Sequence, residues 1–198
     1  PGARTIGMSA ISGEQAHRVR VVLLDADGVM TDGGLYVSAD EERVTEGRRF
    51  HVHDGLGIHM LRRADLVVAI VSGKVSAPVR RRAEALGIME VHQVSPFGTL
   101  EAVDDILRRV GATWDEAAFL ADDLADLPVL REVGLPAAVA NAVPEVKEAA
   151  DWVGEVCGGA GAVREFSEAL LRGRAEWDAL VEGYVAECYE HWRSAKSD

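Results

Sequence analysis

Four short apolar runs recur at 19–24, 66–71, 117–121 and 135–140, and helical apolar spacing fills the stretches between them at 57–64, 76–86, 100–110 and 124–133. Runs of this length, rich in β-branched residues and bounded by polar turns, read as strands buried on both faces. Strand and helix in alternation close by right-handed crossovers onto one parallel sheet. The chain is therefore predicted to be α/β, with a Rossmann-like, doubly wound parallel sheet. Two stretches interrupt the alternation. Residues 35–50 read as a small β-hairpin, with strands at 35–37 and 43–45 turning at 40–42. The tail from 163 to 189 spaces Val163, Phe166, Leu170, Trp177, Val181, Tyr184 and Cys188 for an amphipathic helix, broken at Gly173.

These elements divide the chain into an N-terminal arm at 1–18, an α/β unit at 19–171 carrying the hairpin, and a helical extension at 172–198. Within the arm, Met8 reads as the natural start and 1–7 as a remnant of cloning, so the arm is expected to be flexible. With 198 residues and 48% hydrophobic content the chain suffices for one well-buried core. No apolar run approaches the ~20 residues that span a bilayer, and 1–18 lacks an apolar signal core, so a cytoplasmic protein is expected. The 33 acidic residues outnumber 21 basic ones, for a formal net charge of −12. Such a surface repels phosphate backbones, which argues against nucleic acid as a partner. Cys157 and Cys188 have neither metal-motif spacing nor the density of a disulfide scaffold.

In open α/β sheets the ligand crevice lies at the carboxyl ends of the strands. Three predicted strands end there in polar residues: Asp25 and Asp27, then Ser72, then Asp122 and Asp123. Phosphoryl transfer needs an in-line nucleophile, a divalent cation and a proton for the leaving oxygen. Asp25 suits the nucleophile. Asp27 can protonate the leaving alcohol and later activate water. Gly28 permits a sharp turn whose backbone N–H groups face phosphate oxygens, and Ser72 and Gly73 offer further donors. Mg²⁺ finds oxygen ligands in Asp25, the Asp27 carbonyl and Asp122, with Asp123 and Asp126 behind them.

This pattern resembles the haloacid dehalogenase-like phosphatases at three of their four motifs: Asp25-Ala26-Asp27-Gly28-Val29-Met30-Thr31-Asp32, Ser72-Gly73, and Asp122-Asp123 with Asp126. Within that superfamily it is most similar to the 3-deoxy-D-manno-octulosonate 8-phosphate phosphatase group. The carriers are the first motif, the hairpin, Phe50-His51-Val52-His53-Asp54-Gly55-Leu56-Gly57-Ile58, Val71-Ser72-Gly73-Lys74, and Gly158-Gly159-Ala160-Gly161-Ala162-Val163-Arg164-Glu165. The resemblance implies a Mg²⁺-dependent phosphomonoesterase for a small phosphorylated sugar or sugar acid, working through an aspartyl-phosphate. It also implies no large cap domain, and a homotetramer whose neighbouring hairpins cover the site. The intervals between motifs agree, since hairpin, helices and strands fill them and leave no room for an inserted cap.

One family residue is missing. The family's spacing from motif four puts a lysine at position 99, where this chain has Thr99, and no lysine occurs between Lys74 and Lys147. Removing one preorganised charge of this kind typically costs about 10² to 10³ in rate. Two readings stand: Lys74, beside Ser72, takes over as a catalytic cation, or the domain is a weakened or inactive relative that survives as an oligomerising or binding module. Arg80 and Arg164 are the remaining basic candidates near substrate. His53, where the group usually has arginine, is a third candidate contact.

Overall fold

The computed structural model describes residues 10–39 and 44–196. The expected remnant at 1–7 and the hairpin turn at 40–42 lie outside them. A six-stranded, all-parallel sheet runs β5-β4-β1-β6-β7-β8, with β1 at Val21–Leu24, β4 at Val67–Ser72, β5 at Glu90–Gln93, β6 at Ala117–Ala121, β7 at Leu135–Ala138 and β8 at Trp152–Val153. Strand β1 is central, pairing Leu24 with Ile70 of β4 on one side and with Leu120 of β6 on the other. All four residues of β1 and all five of β6 are buried. That is why both read as unbroken apolar runs rather than alternating ones. The chain leaves β1 toward β4 and β5, then returns to β6 on the opposite side, so the topological switch point falls at the carboxyl end of β1.

Helix α2 (Val52–Arg63) packs with α7 (Ala162–Gly173) and with α3 (Ala77–Leu86), while α4 (Thr99–Val110), α5 (Leu127–Leu130) and α6 (Pro144–Ala149) form a second packed group. Phe119, Leu24, Ile70, Leu120 and Ile106 fill the core on and around the sheet, and Phe166 enters from α7. Each such burial contributes about 1.5–3 kcal/mol before the entropy of ordering is subtracted. Helices α2 and α7 cross closely at Gly57, where an added Cβ would stand 2.9 Å from the Arg164 Cα. Asp54, buried in the first turn of α2, accepts the Arg164 backbone N–H at 2.9 Å, so it ties the start of α7 to the start of α2.

Several elements differ from the sequence reading. Helical spacing is predicted only from 57, yet α2 already begins at Val52 with His51 as its cap residue. Residues 13–18, read as part of the N-terminal arm, form helix α1 (Gly13–Arg18), capped by Ser12; Ala16 is fully buried and α1 packs on α7. The break in the C-terminal helix falls where Gly173 suggested: α7 ends there and α8 runs Trp177–Ser194. The hairpin is present as a separate two-stranded antiparallel sheet, β2 (Tyr36–Ala39) with β3 (Val44–Gly47), and no large cap domain interrupts the described residues. Its base is fixed to the body by an antiparallel bridge between Thr31 and Phe50.

Candidate active site

Asp25 continues β1 by one residue, its N–H donating to the Leu120 carbonyl at 3.1 Å, and its side chain is buried. The chain then turns tightly. Gly28 takes φ of 99°, a left-handed conformation open to glycine at little cost. Thr31 closes the turn: its N–H donates to the Ala26 carbonyl, and its hydroxyl oxygen accepts the N–H groups of Gly28 and Gly33, both at 3.2 Å. A second requirement holds position 28 to glycine, because any Cβ there would overlap the Asp122 carboxylate.

Asp122 follows β6 and faces this turn. Asp126 sits behind it, its carboxylate accepting the backbone N–H groups of Asp122 at 3.2 Å and Asp123 at 3.3 Å. Asp123 caps the turn at 124–126 by accepting the Leu124 N–H. One oxygen each from Asp25, Asp122 and Asp126 lies within 4.8 Å of the others. Burial and mutual repulsion push all three carboxyls up: Asp25 well above the usual range, Asp122 to about 7 and Asp126 to about 6. Asp122 Oδ1 is buried without a hydrogen-bond partner. Hard carboxylate oxygens brought together at such electrostatic cost, one of them unsatisfied, fit a divalent cation with a preference for oxygen.

Ser72 ends β4 beside β1, is buried, and donates its hydroxyl to the Lys74 carbonyl at 3.4 Å. Gly73 packs against the Pro96 ring. The glycine run 158–161 serves the turn from the other side. An added Cβ at Gly158 would overlap the Gly28 carbonyl and one at Gly159 the Asp32 N–H, so these positions let two backbones touch. Asn141 locks them together, its Nδ2 donating to the Gly28 carbonyl at 3.0 Å while its Oδ1 accepts the Gly158 N–H at 2.6 Å.

Residues 100–161 match the family model of haloacid dehalogenase-like hydrolases. The 3-deoxy-D-manno-octulosonate 8-phosphate phosphatase KdsC of Haemophilus influenzae is 39% identical over 166 residues, covering 82% of this chain and 88% of that one. Its Escherichia coli K12 namesake is 37% identical over 164 residues, covering 83% and 85%. The Moraxella catarrhalis phosphatase of the same name, solved with magnesium ion, phosphate ion and KDO, superposes with a TM-score of 0.80 at 32% identity, covering 87% of this chain and 97% of that one. The chain belongs to this phosphatase family. It is a hydrolase of the haloacid dehalogenase-like kind, and membership favours a working phosphatase over an inactive relative.

Against the family pattern, the remaining basic candidates scatter. Thr99 begins α4, buried, and donates its hydroxyl to the Pro96 carbonyl at 3.2 Å. Lys74 is half exposed, with Nζ 3.6 Å from Glu46 of the hairpin. Arg80 is exposed on α3. Arg164 stacks on Trp177 with its guanidinium carbon 4.8 Å from the ring centre, and it borders, with His53, a groove of about 760 Å³ alongside α7.

The cation that touches Asp27 is Arg48, which the sequence reading did not single out. Its Nε lies 2.6 Å from Asp27 Oδ1, its Nη2 3.4 Å from Asp27 Oδ2 and 2.6 Å from Glu46, and its side chain is only 3% exposed. The run Arg48-Arg49 just before Phe50 was the available signal. Nothing in it distinguishes the buried arginine from Arg49, which is mostly exposed and pairs with Asp32 at 3.5 Å.

Proposed function

We propose that this chain is a Mg²⁺-dependent phosphomonoesterase acting on a phosphorylated sugar acid of the 3-deoxy-octulosonate 8-phosphate kind. The observation that carries the reading is the convergence of Asp25, Asp122 and Asp126 oxygens, with a buried unsatisfied Asp122 oxygen, beside a glycine turn at the sheet's switch point. Asp25, Asp122 and the Asp27 carbonyl are assigned to Mg²⁺, and Asp126 and Asp123 to orienting Asp122. Bound there, Mg²⁺ would supply positive charge against the substrate phosphate and the carboxylates around it.

The chain's own groups divide the remaining work. Asp25 Oδ attacks phosphorus as the ester P–O bond breaks, and Asp27 gives its proton to the departing alkoxide. Asp27 then takes a proton from water, which attacks the aspartyl-phosphate and frees Asp25 and inorganic phosphate. Backbone N–H groups of the 26–30 turn, Ser72 and Gly73 hold the phosphoryl oxygens. Arg48 is assigned the role left open at Thr99. Guanidinium binds phosphate and carboxylate through the same bidentate geometry, so an incoming phosphate dianion competes with Asp27 for it. That exchange leaves Asp27 free for proton transfer and puts a cation on the phosphoryl group. Lys74, bridged through Glu46, stands at the mouth as a second cation.

Exposed apolar side chains on the hairpin, among them Tyr36, Val37 and Val44, support its packing against neighbouring subunits in a tetramer, since an isolated two-stranded sheet is marginal in water. Residues 19–171 are taken as the catalytic unit, with 172–198 as an added helical segment. The two exposed free thiols, Cys157 and Cys188, suit a reducing cytoplasm. Phosphate release from a panel of sugar phosphates, with and without Mg²⁺, tests the reading. Release confined to non-acidic sugars would remove the sugar-acid assignment, and no release from any substrate would remove the enzyme.

A further inference from the structure

Helix α8 runs Trp177–Ser194, but only its first half rests on the body. Trp177 is buried, Leu180, Val181 and Tyr184 are partly so, and Glu187 pairs with Arg63 of α2 at 2.6 Å. From 185 to 196 every residue is exposed. A helical stretch of that length is marginal in water by itself. It nevertheless carries Val185, Cys188, Tyr189 and Trp192 at steps of three, four and seven, which is one continuous stripe at 3.6 residues per turn. Solvated helix faces are not built this way, and a Tyr–Trp pair is the composition of an interface centre.

We propose that this stripe pairs antiparallel with the same stripe of a second copy of this chain, the two α8 helices crossing near Cys188 and Tyr189. The charge pattern selects both the partner and the direction. Glu182 precedes the stripe by about one turn and Asp178, paired with Arg172 at 3.3 Å, by about two, while Arg193 and Lys196 stand at its C-terminal end over the Tyr189 and Trp192 rings, 5.8 and 4.0 Å from their centres. An antiparallel pair centred on the stripe sets the acidic half of each helix beside the basic end of the other. A parallel pair would turn this charged flank toward the partner's opposite flank, away from the basic residues. The centre that best opposes Glu182 to Arg193 and Lys196 coincides with the middle of the apolar stripe, two features that need not agree in a face without a partner. A two-helix contact is small beside the roughly 1,600 Å² of a standard stable interface, so the pairing alone holds at about micromolar concentration. This contact is separate from the hairpin and does not depend on the phosphatase reading.

Cysteine cross-linking in the full chain tests it. With Cys157→Ser in the background, Cys188 is the sole thiol and lies next to the proposed two-fold axis. A short bis-maleimide should link Cys188 to Cys188 in a fraction that saturates with protein concentration. Trp192→Ala or Tyr189→Glu, both at exposed positions where folding is unthreatened, should weaken the pairing at least about tenfold. Glu182→Lys should weaken it too, and Glu182→Lys with Arg193→Glu should recover it. Direction is read by moving the thiol in the Cys188→Ser background. A single cysteine at 182 should give little self-linking, whereas a mixture of chains carrying cysteine at 182 and at 195 should cross-link efficiently. Cross-linking that rises linearly with concentration, ignores Tyr189→Glu, or favours 182 with 182 would overturn the proposal.

Discussion

Arg48 is the residue on which the catalytic reading is most exposed. Arg48→Gln keeps the length and polarity of the side chain but removes the charge held against Asp27, and kcat is expected to fall about 10²–10³-fold. Arg48→Lys should retain part of that activity, since a lysine supplies the charge without the fork. A structural role alone would show instead as lost melting temperature with kcat unchanged in the surviving protein. Thr99→Lys in the Arg48→Gln background should return part of the loss if position 99 still faces the phosphate. The aspartates, Ser72 and the glycines were legible in the sequence because strand, turn and motif spacing are local. Arg48 was not. It meets Asp27 from the far side of the hairpin, a contact that leaves no trace in composition or periodicity. Lys74 drew attention by adjacency to Ser72, yet its ammonium sits with Glu46.

Among the elements, the runs buried on both faces announced themselves, and the elements at the sheet's edge did not. Strand β8 has two residues, and α6 and α5 have six and four. Each is too short to show a period; β8 is held by pairing with β7, α5 by packing on α4, α6 and β6, and α6 by packing on α5 and β7. Apolar spacing places the start of α2 at 57, because His51, Val52, His53 and Asp54 carry no helical apolar period. The Asp54 carboxylate and its tie to Arg164 decide otherwise. The glycine run at 158–161 was recognisable as a family motif, but its physical purpose needed the structure. Gly159→Ala should cost about 1–3 kcal/mol, since it adds a methyl group where two backbones touch and where φ is 64°. Denaturant titration measures that cost. Activity should fall along with it, because the same contact sets the 26–30 turn, and an unchanged midpoint would mean that the two loops do not press on each other.

At the scale of the molecule, the acidic cluster links stability to pH and to metal. Asp122 and Asp126 hold their protons to about 7 and about 6, chiefly because they are buried. Unfolded carboxyls lose theirs near pH 4. Between those limits the folded chain binds more protons than the unfolded one, so stability falls as pH rises through that window. In chelator, the melting temperature should therefore drop between about pH 4.5 and pH 7, and Asp122→Asn should flatten the slope. Added Mg²⁺ should raise the melting temperature more at the higher pH, where the carboxylates carry full charge. A metal-free melting temperature that climbs over that range would mean that the cluster is not the repulsive site its geometry describes.

Phosphate release from 3-deoxy-D-manno-octulosonate 8-phosphate, followed for the parent chain and Asp25→Asn with Mg²⁺ and with chelator, bears most directly on the whole reading. Turnover is expected only in the parent and only with Mg²⁺, while Asp25→Asn stays folded and inactive because its amide cannot form the phosphoaspartyl bond. Turnover that survives Asp25→Asn, or that proceeds unchanged in chelator, would contradict the assignment of nucleophile and metal alike.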